Sequence, residues 1–307
     1  MTSNLPSVSV VIPALDAAAS LPTALDSIAS QSYENIVDVV VAAGDDITAQ
    51  AADGLATVVR NPLTTTSAAL NLAIAATSGD VIVRCDAQAQ LPADYVETAV
   101  ETLNRTGADV VGGMQIPIGE TPWQRAIASA MSSPLGAGDA RYRTGGEEGP
   151  VETVYLGVFR RDAINRVGGF DEQFIRNQDY ELNHRIIESG GTVWFNPVMK
   201  VEYTPRSSLT SLARQYFEYG RAKRRFSAKH PGWLRWRQLL PPALVLGLAV
   251  VMVASVWWSP ALLVLVLYGA TMLAAGVSAR ASVWRVASAL MTMHLSWGTG
   301  FLIGARS

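Results

Sequence analysis

"GDVIVRCDAQAQLP", residues 79–92, carries a short apolar run rich in branched side chains into Asp86 and closes on Pro92. A run of this length, bounded by turn text, reads as a strand buried on both faces, the kind a parallel sheet requires. The text before it follows the same pattern. "SVSVVIPALD" (7–16) is a β-rich run stopped at Pro13, and "AASLPTALDSIASQ" (18–31) follows with Leu21, Leu25 and Ile28 at helical spacing. "NIVDVVVAAG" (35–44) and "TVVRN" (57–61) read as strands, and "TTSAALNLAIAATSG" (65–79) as a helix. This alternation predicts an α/β fold, with a mostly parallel central sheet flanked by helices.

Downstream, "LPADYVETAVETLNRTG" (91–107) predicts a helix starting at Pro92 and ending at Gly107, with Tyr95 or Val96, Ala99 and Leu103 facing inward. "ADVVGGMQI" (108–116) is the next strand, and "VETVYLGVFRR" (151–161) another. Between them, "SSPLGAGDARYRTGGEEGP" (132–150) is loop text, long enough for a mobile substrate lid. "IRNQDYELNHRIIESGG" (175–191) predicts a helix from Asn177 or Gln178 to Gly190, with Leu182 and Ile186 on its inner face. Residues 207–230 form a further helical pattern carrying Leu209, Leu212, Tyr216, Tyr219 and the basic cluster "RAKRR".

Composition changes sharply near the C-terminus. Only 16% of the 307 residues are charged, where a soluble domain averages about a quarter. From Gln238 onward the only charges are Arg280, Arg285 and Arg306. Leu240–Trp258 and Ala261–Val277 approach or reach the ~20 residues needed to cross a bilayer. Val286–Gly304, which carries His294 and Ser296, crosses, lies in the interface or packs inside the bundle. Residues 1–230 are therefore expected as one cytoplasmic domain, and 238–307 as a membrane region of two to three helices. The N-terminus lacks a basic, apolar leader, and Arg235, Arg237, Arg280 and Arg285 flank the spans, so the expected location is the inner membrane with the basic flanks in the cytoplasm. The single cysteine, Cys85, excludes a disulfide framework and a multi-cysteine metal site.

No G-x-G-x-x-G, P-loop, H-E-x-x-H or G-x-S-x-G pattern occurs, so the chemistry must be built from carboxylates. Ligands of open parallel sheets bind beyond the carboxyl ends of the strands, where Asp86 lies. Asp86 there either holds a divalent cation through oxygen or caps the loop or helix that follows. Asp179 lies in a first helical turn, where the macrodipole favours the ionised form, as a base or as an ordinary first-turn acid. Glu181 and Arg185, four apart, read as a surface ion pair, and His184 as structural. The basic helix at about 207–230, with Tyr216, Phe217, Tyr219 and Phe226 interleaved, leads into membrane spans. That context points away from nucleic acid, toward anionic headgroups, a lipid diphosphate or a solvated face.

In order, "SVVIPALD", "RNPLTTTSAALNLAI", "GDVIVRCDAQA", "GETPWQRAIASAMSSPLGAG", "VYLGVFRR", "VGGFDEQFIRNQDYELNHR" and "RQYFEYGRAKRR" resemble the family 2 glycosyltransferases of the succinoglycan-biosynthesis ExoA type across residues 7–230. The resemblance implies a GT-A fold and inverting transfer from a nucleotide sugar, a UDP-sugar foremost, to a hydroxyl of a lipid-linked glycan acceptor. It implies Asp179 as general base, and Asp86 as the ligand of Mg2+ or Mn2+. Pro13, Ala14, Asp45, Asn71, Asp86 and Gln88 would face the donor; Gln178, Gln215 and Arg214 or Arg221 would face the acceptor or the diphosphate. Gln88 stands where the common motif has a second Asp, Gln178 where it has Glu, and Ala42 where it has a uracil-contacting Asp. These departures motivate one alternative, an inactive membrane scaffold among polysaccharide-assembly proteins; another is a polyprenyl-phosphate sugar synthase of the same fold, whose phosphate acceptor would leave Asp179 no hydroxyl proton to take.

Overall fold

The computed structural model describes residues 5–277, 279 and 281–304, so Arg280 and Arg306 lie outside the described residues. Contacts divide the chain into two compact units, Met1–Ile116 with Gly145–Glu202, and Pro117–Thr144 with Tyr203–Ser307.

The first unit begins β1 (Val8–Ala14), α1 (Leu21–Ala29), β2 (Ile36–Ala43), α2 (Asp46–Ala52), β3 (Thr57–Arg60), α3 (Thr66–Ala75), β4 (Val81–Arg84), α4 (Tyr95–Thr106) and β5 (Val110–Pro117). In the second unit follow α5 (Pro122–Ser132), α6 (Pro134–Ala137) and α7 (Arg141–Thr144). The first unit resumes with β6 (Gly149–Pro150), β7 (Tyr155–Arg160), α8 (Arg161–Val167), α9 (Gln178–Glu188) and β8 (Val193–Tyr203). One sheet of eight strands runs β3-β2-β1-β4-β7-β5-β8-β6. The β3-β2-β1-β4 half is parallel, as the alternation predicts. β7 then enters antiparallel to both β4 and β5. Two apolar clusters hold the sheet. Val10, Ile12, Val83, Leu103 and Val158 belong to one, and Val11, Ile82, Phe159, Leu182 and Ile186 to the other. Alternate residues of β1 and β4 thus feed opposite faces, the period-2 pattern of strands covered on both sides.

Local expectations change in four places. β1 does not stop at Pro13 but runs to Ala14, because β4 pairs only with Val8–Val11 and Pro13 loses no ladder bond on that side. α4 starts at Tyr95, not Pro92, while Gly107 ends it in the left-handed region (φ 68°). The 132–150 segment is not uniform loop; it holds α6, α7 and β6. Glu181 and Arg185 are not a surface pair: Glu181 is fully buried, and Arg185 also donates to the carbonyls of Val167 and Gly169.

The second unit adds α10 (Leu209–Lys229), a 3-10 turn (Trp236–Leu239), α11 (Leu240–Ala254), α12 (Leu262–Val277) and α13 (Val283–Ile303). Three stretches, Trp236–Ala254, Ser259–Val277 and Val283–Ile303, are long and apolar enough to cross a membrane. α13 is the most enclosed, and its glycines explain how. A side chain at Gly300 would sit 2.1 Å from the Phe217 carbonyl of α10, and one at Gly220 of α10 2.1 Å from the Trp297 carbonyl of α13. Small residues let these helix backbones touch. His294 of α13 is bonded on both ring nitrogens, to the Tyr268 hydroxyl (3.2 Å) and the Leu135 carbonyl (2.9 Å). α5 begins with a capping box between Thr121 and Gln124 and packs Ala126, Ile127 and Met131 into one cluster with Leu212, Val286, Leu290 and Met293.

Candidate active site

Asp86 follows β4 by two residues, at the carboxyl end of the parallel half of the sheet. The side chain that organises this end is Arg84, the last residue of β4, only 8% exposed. Its Nε and Nη2 donate to Asp86 Oδ1 at 3.1 and 2.8 Å. Its Nη1 donates to Asp179 Oδ1. One guanidinium thus ties together two carboxylates 93 positions apart in sequence. The fixed fork of five donors makes arginine suited to this, since two edges can serve two acids at once. Each carboxylate spends Oδ1 on Arg84 and leaves Oδ2 without a hydrogen bond among the described residues. Their side chains keep 26% (Asp86) and 29% (Asp179) of their surface open. The pair is held on one side and available on the other.

Asp179 is the second residue of α9, and Asn177 at the N-cap is left-handed (φ 61°) with no side-chain cap. Asparagine is among the few residues that tolerate this conformation, and it turns the chain abruptly into the helix. Desolvation raises the Asp179 pKa above the usual aspartate value, Arg84 opposes that rise, and the Asp86 charge adds to it. A carboxylate with a raised pKa and a free oxygen is suited to taking a proton. Gln178, beside it, is buried.

The Asp86 end fits a hard cation. Asp86 Oδ2 is unspent, and Gln88 is exposed with no hydrogen bond among the described residues, so one carboxylate and one neutral oxygen are on offer. Asp86 does not cap the following helix; Asp94 occupies that position.

A cavity of about 360 Å³ lies at the ends of β2 and β3, lined by Gly44, Asp45, Asp46, Arg60, Asn61 and neighbours. Asn61 contributes a buried Oδ1 with no partner among the described residues. Asp45 lines this cavity but is committed to structure: Oδ1 accepts from Thr48 N, and Oδ2 from Asp16 N and the Thr48 hydroxyl. The Thr48 backbone bond is the main reason its pKa falls below the usual value. Pro13 and Ala14 end β1 beside Ala42 and Ala43, and Ala42 is wholly buried rather than presented to the cavity. Asn71 is likewise committed: its amide brackets Phe170, accepting from the nitrogen and donating to the carbonyl at 2.8 Å each, and it reaches Glu172.

Gln215, Arg214 and Arg221 belong to α10 of the second unit. Gln215 is buried and donates to the Tyr203 and Tyr219 hydroxyls, Arg214 is exposed, and Arg221 donates to the Gly304 carbonyl just past α13. Reading the sequence for acids missed Arg84. The signal was there, because an arginine inside an apolar, fully buried strand is rare unless paired.

Residues 9–168 match the sequence profile described as Glycosyl transferase family 2. The chain is 33% identical over 313 aligned positions to the succinoglycan biosynthesis protein ExoA of Rhizobium meliloti, covering 95% of this chain and 93% of that one. It is 28% identical to the glycosyltransferase AglE of Haloferax volcanii, over 64% of this chain and 66% of that one. Among solved structures, the mannosyltransferase PcManGT of Pyrobaculum calidifontis, held in complex with GDP-Man and Mn2+, superposes with a TM-score of 0.68 at 19% identity, covering 95% of this chain and 86% of that one. That likeness is one of fold, the GT-A arrangement. With the profile spanning more than half of the chain and a relative aligned across nearly all of it, the protein belongs to glycosyltransferase family 2 and is a glycosyltransferase.

Proposed function

We propose that this glycosyltransferase inverts the anomeric centre as it moves a sugar from a nucleotide sugar, a UDP-sugar first among candidates, onto a hydroxyl of a polyprenyl-diphosphate-linked acceptor. The observation that carries the reading is the pair Asp86 and Asp179 on one guanidinium, each with a free oxygen. Asp179 Oδ2 takes the proton of the acceptor hydroxyl as that oxygen attacks the anomeric carbon, and the nucleoside diphosphate leaves from the opposite face. A single base on one face and a stabilised leaving group on the other suffice for inversion.

Asp86, with Gln88 beside it, would hold Mg2+ or Mn2+, which when bound neutralises charge on the departing diphosphate. Arg84 keeps both acids in place and holds the Asp179 pKa below where burial alone would push it. The cavity at Arg60 and Asn61 is the natural seat for the nucleoside, and Asn61 Oδ1 can accept from a base. The family resemblance assigns Gln215 and Arg214 or Arg221 to the acceptor or the diphosphate, and composition assigns residues 1–230 to a cytoplasmic catalytic part followed by a membrane region.

An acceptor confined to the bilayer gives the apolar helices their purpose. A relative from Methanococcus voltae, 29% identical over half of each chain, is described as dolichyl N-acetyl-alpha-D-glucosaminyl phosphate 3-beta-D-2,3-diacetamido-2,3-dideoxy-beta-D-glucuronosyltransferase, which supports a sugar on a lipid phosphate as acceptor. A hydroxyl acceptor also explains Asp179, which transfer onto a phosphate oxygen would not need.

The test is transfer by the full chain in membranes, with release of nucleoside diphosphate as readout. Asp179→Asn is expected to lower turnover by about 10²–10⁴-fold while nucleotide-sugar binding stays intact. Turnover equal to wild type would remove Asp179 as the base. Chelation or Asp86→Ala should each weaken donor binding, and donor affinity indifferent to both would take the cation away from Asp86.

A further inference from the structure

In the second unit, Arg143 of α7 is a cation with no carboxylate partner among the described residues. Its Nη1 donates to the Tyr216 hydroxyl at 2.9 Å, and its guanidinium lies 5.5 Å from the Tyr142 ring centroid. Its Nε is sealed from solvent and has no partner among the described residues. Burial works against its charge, and the ionisable groups beside it are the phenols of Tyr142, Tyr216 and Tyr219. Arg143 is half-buried with its Nε sealed, and a partly desolvated cation is costly unless an anion meets it, so this position suits a negative charge from outside the chain.

The neighbouring hydrogen bonds lead to the same place. Gln215, 8% exposed, donates from Nε2 to the hydroxyls of Tyr203 and Tyr219 at 3.2 Å each, while its Oε1 is buried and has no partner among the described residues. The Tyr216 and Tyr219 rings meet edge to face at 5.6 Å, linking the two halves of the cluster. Each of the three phenol oxygens already accepts an N–H, from Arg143 or from Gln215, so each hydroxyl proton is left to donate elsewhere. Arg143 Nε adds a further donor, and among the described residues Gln215 Oε1 is the buried side-chain acceptor of this cluster without a partner. Burial raises the Tyr216 and Tyr219 pKa values, which keeps their protons on at neutral pH. An excess of donors around a cation is the composition of an oxyanion site, and a guanidinium fork with hydroxyls suits phosphate.

We infer that Arg143, Tyr203, Tyr216 and Tyr219, with Gln215, bind the phosphate or diphosphate group of a prenyl lipid. This deepens the acceptor reading above and rests on it for the choice of lipid. The surroundings favour a lipid-borne phosphate over a soluble one. Tyr216 is buried in one cluster with Leu212, Val286, Leu290 and Met293, and Tyr203 and Tyr219 pack against it, with α12 and α13 contributing apolar residues. A phosphate delivered there on an isoprenoid chain would keep its tail among apolar helices.

The experiment uses the full chain in phosphatidylcholine nanodiscs, titrated with farnesyl diphosphate, inorganic pyrophosphate and UDP. Farnesyl diphosphate is expected to bind tightest. Arg143→Gln should weaken it about tenfold, consistent with loss of a charge-assisted bond. Arg143→Lys, which keeps the charge but not the fork, should fall between. The Tyr216→Phe, Tyr219→Phe double variant should also weaken the lipid probe, while UDP affinity stays unchanged in every variant. Unchanged farnesyl diphosphate affinity in Arg143→Gln, with the melting temperature retained, would overturn the site. So would pyrophosphate binding as tightly as the lipid probe, or an equal loss of UDP affinity. Displacement of the probe by phosphatidylglycerol in the disc would reassign the cluster to bulk headgroups and sink the prenyl reading. The two proposals fail separately. If Asp179→Asn stops transfer while Arg143→Gln binds farnesyl diphosphate normally, only the phosphate site falls; if Arg143→Gln loses the probe while Asp179→Asn transfers at the wild-type rate, only the base assignment falls.

Discussion

Arg84 shows how much one side chain can change the meaning of its neighbours. Alone, Asp86 is a strand-end acid and Asp179 a first-turn acid; joined through one guanidinium they become one cluster, the candidate site. The coupling has a sign that pH can read. Burial raises the Asp179 pKa and Arg84 lowers it, so the low-pH limb of kcat/KM should lie above that of an ordinary aspartate, with activity lost as pH falls through it. Arg84→Met removes the lowering influence, so the same limb should move to still higher pH; a pH–rate profile unshifted by this variant would show that Asp179 is not the titrating base. The acids themselves were legible in sequence, because strand ends and helix starts are places where carboxylates have work to do. Their connection was not, since the two residues stand 93 positions apart in sequence and only the sheet brings them together. Asp45 and Asn71 make the converse point. Both stand in stretches that match the family, yet their polar atoms are spent on Thr48 and Asp16, and on the Phe170 segment.

Among the elements, α13 departs most from what its text suggests. Its hydropathy is the lowest of the three candidate spans because it carries His294 and several glycines, and those same residues are what fit it among other helices. Gly300 and Gly220 permit α13 and α10 to touch at backbone distance, so the crossing has no room for a side chain. Gly220→Val or Gly300→Val should therefore cost at least about 1–3 kcal/mol through overpacking, read as a lower melting temperature in detergent; Gly247→Val, where nothing lies within 4 Å, should be near neutral. α10 is basic and aromatic by sequence, and one face of it is expected at a lipid surface. The structure buries Leu212, Gln215, Tyr216 and Phe226, so this helix is also a packing partner of α13. Periodicity found the helix, but a pattern of apolar residues does not say which other element covers them.

For the whole chain, the division by contacts is not the division by composition. Charge and hydropathy change near residue 238, yet α5 and α10 share one apolar cluster with α12 and α13. A fragment ending at residue 230 would expose Ala126, Ile127, Leu212 and Tyr216, which Val286, Leu290 and Met293 otherwise cover. It is expected to aggregate unless detergent is present, as size-exclusion chromatography would show; a monodisperse fragment in plain buffer would mean that this face tolerates water.

The sequence by itself determined the α/β alternation, the parallel half of the sheet, the apolar C-terminal stretches and the family, because periodicity, strand-bounding turns and ordered motifs are local properties of the chain. Tertiary structure alone decided that β7 enters the sheet antiparallel, that Arg84 binds both acids, that Glu181 and Arg185 pair out of water, and that Arg143 meets Tyr142 and Tyr216. Each of these depends on which distant residue occupies the facing position, and hence on whether a charge is solvated, paired or left waiting for a ligand.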